Sequence, residues 1–160
     1  MFKKGFTLIE LLIVIGIISI LVAMEMFVYL NSQKTARDGK RRADLENVRA
    51  AIEQYRSSNN SYPKRIRLIF NANCNTNSSL TDDAGSIYMN PLPSDPRCSI
   101  YSYYYSALPS GCDESATVCT NYTLGARLEL GTTSCSTSGT DCLNSGISVC
   151  NYCVGPYGTK

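Results

Sequence analysis

The chain lacks histidine and tryptophan altogether, although it has 160 residues. Without histidine, the Ser-His and Cys-His pairs that activate many protein nucleophiles are excluded. There is no glycine-rich phosphate-binding loop, and carboxylates are sparse after residue 60. The net charge is only +2, so bulk charge indicates neither nucleic acid nor an acidic substrate as a partner. We therefore expect a protein that is not an enzyme and that carries no cofactor or metal.

The amino terminus is the most informative segment, because two lysines and a glycine precede a long apolar run. Residues 6–30 are long enough to span a bilayer core, which needs about 20 predominantly apolar residues. A secretory signal is cut after its apolar stretch, whereas the junction suited to cleavage here, Gly5–Phe6, lies before it. The apolar segment would therefore remain on the mature protein. A carboxylate, Glu10, interrupts it near its beginning, and acids inside membrane segments are usually functional and partnered.

This beginning resembles the prepilin amino terminus of type IV pilins and type II secretion pseudopilins. The residues that carry the resemblance are Lys3-Lys4-Gly5-Phe6-Thr7-Leu8-Ile9-Glu10-Leu11-Leu12-Ile13-Val14. The resemblance implies that a membrane-embedded prepilin peptidase cleaves after Gly5 and that Phe6 becomes the N-methylated terminal residue. It also implies that Glu10 is needed for assembly, through pairing with the terminal amine of Phe6 on an adjacent subunit. The simpler interpretation is an acid favoured by the dipole at a helix amino terminus.

Charge gives conflicting indications about orientation in the inner membrane. Lys3 and Lys4 favour a cytoplasmic amino terminus. The cations beyond the span favour the reverse, and they are Lys34, Arg37, Lys40, Arg41 and Arg42. The cysteines downstream indicate an oxidising, external compartment, and the family has its amino terminus inside. We therefore expect an N-in, C-out precursor that later joins an extracellular filament.

Glu25 is the second acid of the apolar segment. It lies about 28 Å from Phe6 along a helix that rises about 1.5 Å per residue. This distance places it close to the far membrane face, where we expect it to meet water. The alternative is an ion pair with Lys34 or Arg37 of a neighbouring subunit.

The helix is predicted to continue past the membrane span. Residues 31–57 contain no proline and consist of good helix formers apart from Gly39. Apolar residues at helical spacing predict one face packed on a globular body; they are Ala36, Ala43, Leu45, Val48, Ala51, Ile52 and Tyr55. Charged residues occupy the other positions, Arg37, Asp38 and Arg41 among them. A run of turn formers that ends at Pro63 stops the helix.

The remaining sequence predicts a small sheet. Residues 99–107 and 121–130 have strand composition, and a third short strand is expected at residues 86–89. We predict an α+β fold, in which an antiparallel sheet of three or four strands packs on the second half of the helix and the first half protrudes. The domain boundaries are a leader at 1–5, an apolar half-helix at 6–30, an amphipathic half-helix at 31–58 and a Cys-rich β domain at 59–160.

Eight cysteines follow the helix, at Cys74, Cys98, Cys112, Cys119, Cys135, Cys142, Cys150 and Cys153. An even number in a small external domain predicts up to four disulfides, each worth typically about 2–4 kcal/mol. The one local pair suggested is Cys112 with Cys119. Two alternatives stay open: a redox pair at Cys150 and Cys153, and a four-thiolate zinc site that adds Cys135 and Cys142.

The sequence therefore predicts a structural subunit of a type IV pilus-like surface filament. Its partners would be other copies in a helical homopolymer, prepilin peptidase, the pilus assembly machinery and the inner membrane. The alternative within the family is the major pseudopilin of a type II secretion system. Major pseudopilins carry an acid-rich calcium loop near the carboxyl terminus, whereas Asp141 is the only acid after Glu129. Outside the family, the alternatives are a membrane-tethered binding domain that does not polymerise and an anchored redox protein.

Overall fold

The computed structural model describes residues 5–66, 78–113, 117–131, 135, 142 and 150–159, with Phe27 described by its backbone alone. The chain divides into two compact units, Met1–Ala36 and Arg37–Lys160. In chain order the elements are α1 (Leu8–Asn59), β1 (Leu80–Thr81), β2 (Ile87–Met89), β3 (Tyr104–Leu108), β4 (Asn121–Ala126), β5 (Tyr152–Gly155) and β6 (Gly158–Thr159). This architecture confirms the predicted α+β fold. Predicted leader residues 1–4 lie outside the described residues.

Helix α1 begins and ends at residues that satisfy its free backbone groups. Thr7 precedes the helix, and its Oγ1 accepts a hydrogen bond from the backbone N–H of Glu10 at 3.3 Å, as an N-cap residue does. At the other end Asn60 has a φ of 55°, the left-handed conformation that terminates many helices. Its N–H donates to the carbonyl of Arg56 at 2.8 Å. The turn formers before Pro63 thus end α1 two residues later than predicted.

The first unit is exposed along its apolar residues. For the large apolar side chains described between residues 6 and 30, the exposed fraction runs from 44% at Val14 to 87% at Leu8. Among the described residues, α1 is the one helix long and apolar enough to cross a membrane. An apolar helix with this much exposed side-chain surface is not stable by itself in water.

The second unit is built on two antiparallel sheets. β1 pairs with β2, while β3, β4, β5 and β6 form a four-stranded meander in that order. The core lies between the larger sheet and α1, where Leu45, Val48 and Ile52 are each at most 1% exposed. Leu124 of β4 and Val154 of β5 are fully buried against them. The predicted packing of a sheet on the second half of the helix is therefore confirmed.

The strand boundaries differ from the prediction at both long strands. Residues 97–101 form a turn, in which the N–H groups of Ile100 and Tyr101 both donate to the carbonyl of Arg97, so β3 starts only at Tyr104. β4 ends at Ala126 because the next amides are bound by side chains rather than by a strand. The backbone N–H of Leu128 donates to Asn151 Oδ1 at 2.6 Å. The strands β5 and β6 were not predicted.

Three disulfides join the described cysteines. Cys112 and Cys119 form the local pair that the sequence suggests. Cys135 bonds to Cys153, and Cys142 bonds to Cys150. Cys98 is disulfide-bonded as well, and Cys74 lies outside the described residues.

This pairing corrects the two open alternatives. Cys150 and Cys153 are bonded to different cysteines, so they are not a redox pair. All four sulfurs of the proposed zinc site are used in disulfides, so none is available as a thiolate. Structural cross-linking is the interpretation that the structure supports for these cysteines.

Gly125 in β4 makes room for the disulfides on the sheet. A Cβ atom at this position would lie 2.8 Å from the Sγ of Cys150 and 3.4 Å from that of Cys153. Cys150 itself is fully buried, so neither sulfur has space to retreat. A side chain at Gly125 would therefore displace the disulfides or the strand.

We expect Gly125→Ala to lower the free energy of unfolding by about 1–3 kcal/mol, the usual cost of overpacking a core. The matched control is Gly39→Ala in α1, where a Cβ atom meets nothing within 4 Å. That change should raise the free energy of unfolding by about 0.5–1 kcal/mol, because alanine favours helix. Urea unfolding of the full chain in detergent measures both, and equal effects of the two substitutions would contradict this account of Gly125.

Candidate functional site

The predicted processing and assembly residues lie together at the start of α1. Gly5 and Phe6 precede the helix and Glu10 is in its first turn, and all three are exposed. Thr7 as N-cap and Glu10 three residues later have the spacing of a capping box. This arrangement agrees with the simpler interpretation of Glu10 as a helix-start acid. It also leaves the Glu10 carboxylate at the surface, where a cation from another molecule can reach it.

The surface around Glu10 is apolar. Phe6 is 81% exposed, and Leu8, Ile9 and Leu11 beside it are all exposed. Among the described residues no cation pairs with Glu10. A carboxylate surrounded by apolar side chains favours a partner of opposite charge once that surface is covered, because burial alone penalises the charged form.

A second concentration of charge lies inside the second unit, and we call it the Arg41 cluster. Its members are three cations and three carboxylates, Arg37, Arg41, Arg97, Asp38, Asp95 and Glu129. Arg41 is at the centre, and its side chain is completely buried. A lone charge in a protein interior costs roughly several kcal/mol. The cluster has equal numbers of positive and negative groups, so its charges offset one another.

Arg41 uses its guanidinium to hold three parts of the chain. Its Nε and Nη2 donate to the two oxygens of Asp95 at 2.7 and 3.0 Å. Its Nη1 donates to Asp38 at 2.8 Å and to Glu129 at 3.1 Å. The guanidinium also lies over the ring of Tyr101, 5.6 Å from the centroid. Bidentate contacts of this kind fix both distance and orientation, so α1 is locked to the Asp95 loop and to the segment after β4.

Two of the three carboxylates that bind Arg41, Glu129 and Asp38, have further partners. Glu129 accepts two hydrogen bonds from Arg37, at 2.6 and 2.8 Å. Asp38 accepts from the backbone N–H groups of Glu129 and Leu130, at 2.8 and 2.9 Å. These bonds satisfy amides that a continuing β4 would have paired, so the cluster ends the strand together with Asn151.

The cluster changes the acid–base properties of its members. Hydrogen bonds from Arg37, together with those from Arg41, lower the pKa of Glu129 to about 2. Burial disfavours the charged form of Arg41, but the hydrogen bonds and charge of Asp95 outweigh it and raise the pKa of Arg41 above its ordinary value. Both partners therefore stay charged at neutral pH, which the ion-pair geometry requires.

The predicted packed face of α1 was wrong toward its amino-terminal end. Ala36 and Ala43 were predicted on that face, yet both are exposed, whereas Asp38 and Arg41 are buried. The buried positions follow one helical stripe with steps of three and four residues: Asp38, Arg41, Leu45, Val48, Ile52 and Tyr55. That spacing is the signal that could have revealed the cluster, because it extends the apolar face toward the amino terminus in polar residues.

The cluster also bears on the alternative for Glu25. Arg37, one of its two suggested partners on a neighbour, is already bound to Glu129 within its own chain. Lys34, the other, is exposed. The expectation that Glu25 is an interfacial acid stays a prediction.

We expect Arg41→Met to lower the free energy of unfolding by about 3–5 kcal/mol, since Asp38 and Asp95 would be left as uncompensated buried charges. The control is Arg42→Met, which changes the adjacent exposed arginine. Arg42 lies over the Tyr152 ring at 5.4 Å, a contact worth about 1 kcal/mol or less. Chemical unfolding of the full chain distinguishes the two. A loss for Arg41→Met no larger than that for Arg42→Met would show that the cluster does not stabilise the fold.

Acid should weaken the fold partly through Glu129. Its pKa is lowered from 4.5 to about 2, so its contribution to stability is complete above pH 4.5 and declines as the pH falls through this window. Glu129→Gln should therefore make the free energy of unfolding less dependent on pH between pH 4.5 and 2. Asp44 is a control of opposite sign, because burial raises its pKa and its protonation favours the folded state as the pH falls. Asp44→Asn should therefore make the free energy of unfolding fall more steeply with acid. If Glu129→Gln leaves the pH dependence of the free energy of unfolding unchanged, Glu129 does not contribute to acid sensitivity.

Comparison with known families gives two matches along the chain. The family model described as "Prokaryotic N-terminal methylation motif" matches residues 1–24. The model described as "Type II secretion system (T2SS), protein G" matches residues 28–120, which are more than half of the chain. Together the two matches cover most of the exposed apolar helix, the buried stripe of α1 and the strands that precede β4.

A curated relative supports the same grouping. The "Type IV wide pilus major component PilA4" of Thermus thermophilus is 49% identical over 59 residues, which are 37% of this chain and 45% of the relative. The match thus spans less than half of that relative's length. No solved structure matches significantly. These findings confirm the resemblance described above: the chain belongs to the type IV pilin and type II secretion pseudopilin family.

Proposed function

We propose that this chain is a structural subunit of a type IV pilus-like surface filament, and that copies polymerise through their amino-terminal helices. The observation that carries the proposal is the exposed apolar surface between residues 6 and 30, directly behind a methylation motif. The relative named as the major component of a pilus supports it.

Exposure of this apolar surface to water costs free energy, so another apolar surface must cover it. Burying one large aliphatic side chain contributes about 1.5–3 kcal/mol. The exposed residues between Phe6 and Leu30 include many such side chains, so their combined value exceeds the 5–15 kcal/mol or so by which a domain is stable. Lipid covers the surface in the precursor, and neighbouring helices cover it in the filament.

Cleavage after Gly5 prepares the subunit for the filament. It creates a new amino group on Phe6, next to the turn in which Glu10 lies. In a bundle of apolar helices, the Glu10 carboxylate of one subunit pairs with the amino group of Phe6 on the next. The pairing offsets the cost of burying the acid, and it fixes the relative height of adjacent helices.

The precursor is inserted with its amino terminus in the cytoplasm and its folded unit outside. The disulfides of the second unit support this orientation, since they persist in oxidising compartments. Two of the five cations that argue against it, Arg37 and Arg41, are neutralised by carboxylates of the folded unit. The cations beyond the span therefore oppose the N-in, C-out orientation less than the sequence suggests.

The second candidate is a subunit of a type II secretion pseudopilus, and one observation favours it. The family model of type II secretion protein G matches residues 28–120. Both candidates share processing, membrane storage and helix-driven polymerisation. They differ in whether filaments extend from the cell surface, which electron microscopy of sheared surface material decides.

We expect Glu10→Ala to leave cleavage after Gly5 intact but to lower the fraction of subunits in filaments about tenfold or more, because the Phe6 amine loses its partner. The matched control is Glu25→Ala, which removes the other acid of the apolar segment and should have a much smaller effect. The measurements are the mass of the processed subunit and its distribution between membrane and sheared filaments. Normal filament yield from Glu10→Ala would rule out this role for Glu10.

A further inference from the structure

Tyr157 is the most exposed tyrosine of the second unit. It is 92% exposed, whereas the other tyrosines of this unit are buried or half-buried. It lies in the turn between β5 and β6, followed by Gly158 with a φ of 111°. Arg49 Nη2 of α1 donates to the carbonyl of Pro156 at 3.5 Å, which ties the turn to the helix. An aromatic side chain presented on an anchored turn is a common anchor of protein interfaces.

A groove in the same unit has the chemistry that a tyrosine needs. Its volume is about 530 Å³, and its walls include Pro63, Lys64, Arg65, Asp83 and Asp113. This volume is within the range of about 300–1,000 Å³ that accommodates small ligands, so a single phenol ring fits. Lys64 is paired with Asp113 at 2.9 Å. Arg65 and Asp83 are exposed, and neither has an ion pair with another described residue.

These charges complement a tyrosine side chain. A guanidinium can lie over the face of an aromatic ring, and a carboxylate can accept a hydrogen bond from a phenol hydroxyl. Arg65 and Asp83 would supply these two contacts, while Pro63 gives an apolar wall.

Tyr157 and the groove lie toward opposite edges of the larger sheet. β3 is one edge, and the hydroxyl of Tyr105 in β3 donates to the carbonyl of Pro63 in the groove at 2.5 Å. β6, next to Tyr157, is the other edge. The two are separated by two to three strand spacings, roughly 10–14 Å, so Tyr157 does not reach the groove of its own chain. Two different complementary patches on one molecule produce head-to-tail assemblies, which are open helical filaments when the rotation between copies does not close a ring.

We propose that Tyr157 of one subunit binds in the groove formed by Pro63, Arg65 and Asp83 of a neighbouring copy. The proposal rests on the proposed function, because the contact forms within the filament. It adds a connection between folded units to the one between amino-terminal helices. The ring stacks on Arg65, and the hydroxyl donates to Asp83.

The test uses Tyr157→p-benzoylphenylalanine, a photo-cross-linking analogue, in filaments of the full chain. Irradiation should give covalent multimers whose cross-linked peptides, mapped by mass spectrometry, contain residues 63–65 or 81–83. The control is Leu130→p-benzoylphenylalanine, at another exposed position of the unit, which should not reach these peptides. Cross-links from position 157 that map elsewhere, or none in filaments that do form, would overturn the contact.

Two substitutions separate the contact from the filament itself. Tyr157→Ala should lower the fraction of subunits that resist shearing roughly tenfold, whereas Tyr157→Phe, which removes only the hydroxyl, should have a smaller effect that Asp83→Asn reproduces. Tyr157→Ala should not change the thermal midpoint of the monomer, since the side chain is 92% exposed. Filaments from Tyr157→Ala at the normal level would refute this contact alone. Failure of the unsubstituted chain to form filaments would refute both this contact and the proposed function.

Discussion

The apolar surface of the first half of α1 is the constraint on which the rest depends. A helix whose described large apolar side chains between residues 6 and 30 are all exposed is not compatible with an isolated molecule in water. It requires lipid or copies of itself, and the two environments differ in one respect. Under the proposed function, lipid offers Glu10 no fixed partner, whereas a bundle of processed helices offers the Phe6 amine. The same residues would then serve both storage in the membrane and assembly, and Glu10 would favour assembly.

The folded unit solves a different problem, since it has few large apolar residues with which to hold itself together. It combines three kinds of interaction. Leu45, Val48 and Ile52 belong to its apolar core, disulfides fix the segments around β4 and β5, and the Arg41 cluster joins α1 to two loops. Gly125 shows how close these elements lie, because a single added methyl group would collide with a disulfide. Such a unit can keep its shape while its helix passes from membrane to filament, as the proposed function requires.

The sequence predicted the features that depend on local pattern. Hydrophobic periodicity gave the long helix, the even cysteine count gave the disulfides, and strand composition gave β2, β3 and β4 approximately. It failed where distant residues decide the local structure. The burial of Asp38 and Arg41 depends on Asp95 and Glu129, which are far away in the chain, so isolated charges on a helix were assigned to its other face. β4 is short for the same reason, because Asp38 and Asn151 bind the amides that follow it. β5 and β6 are too short and too rich in glycine to give a strand signal.

The most direct test of the account is the analysis of material sheared from the surface of cells that produce this chain, by electron microscopy and by intact mass. We expect thin filaments whose main subunit begins at Phe6 and carries one added methyl group on its terminal amine. The opposite result would be a chain found only as detergent-soluble monomers, or one that still begins at Met1. Either finding would contradict the claim that this helix is first a membrane anchor and then the core of a filament.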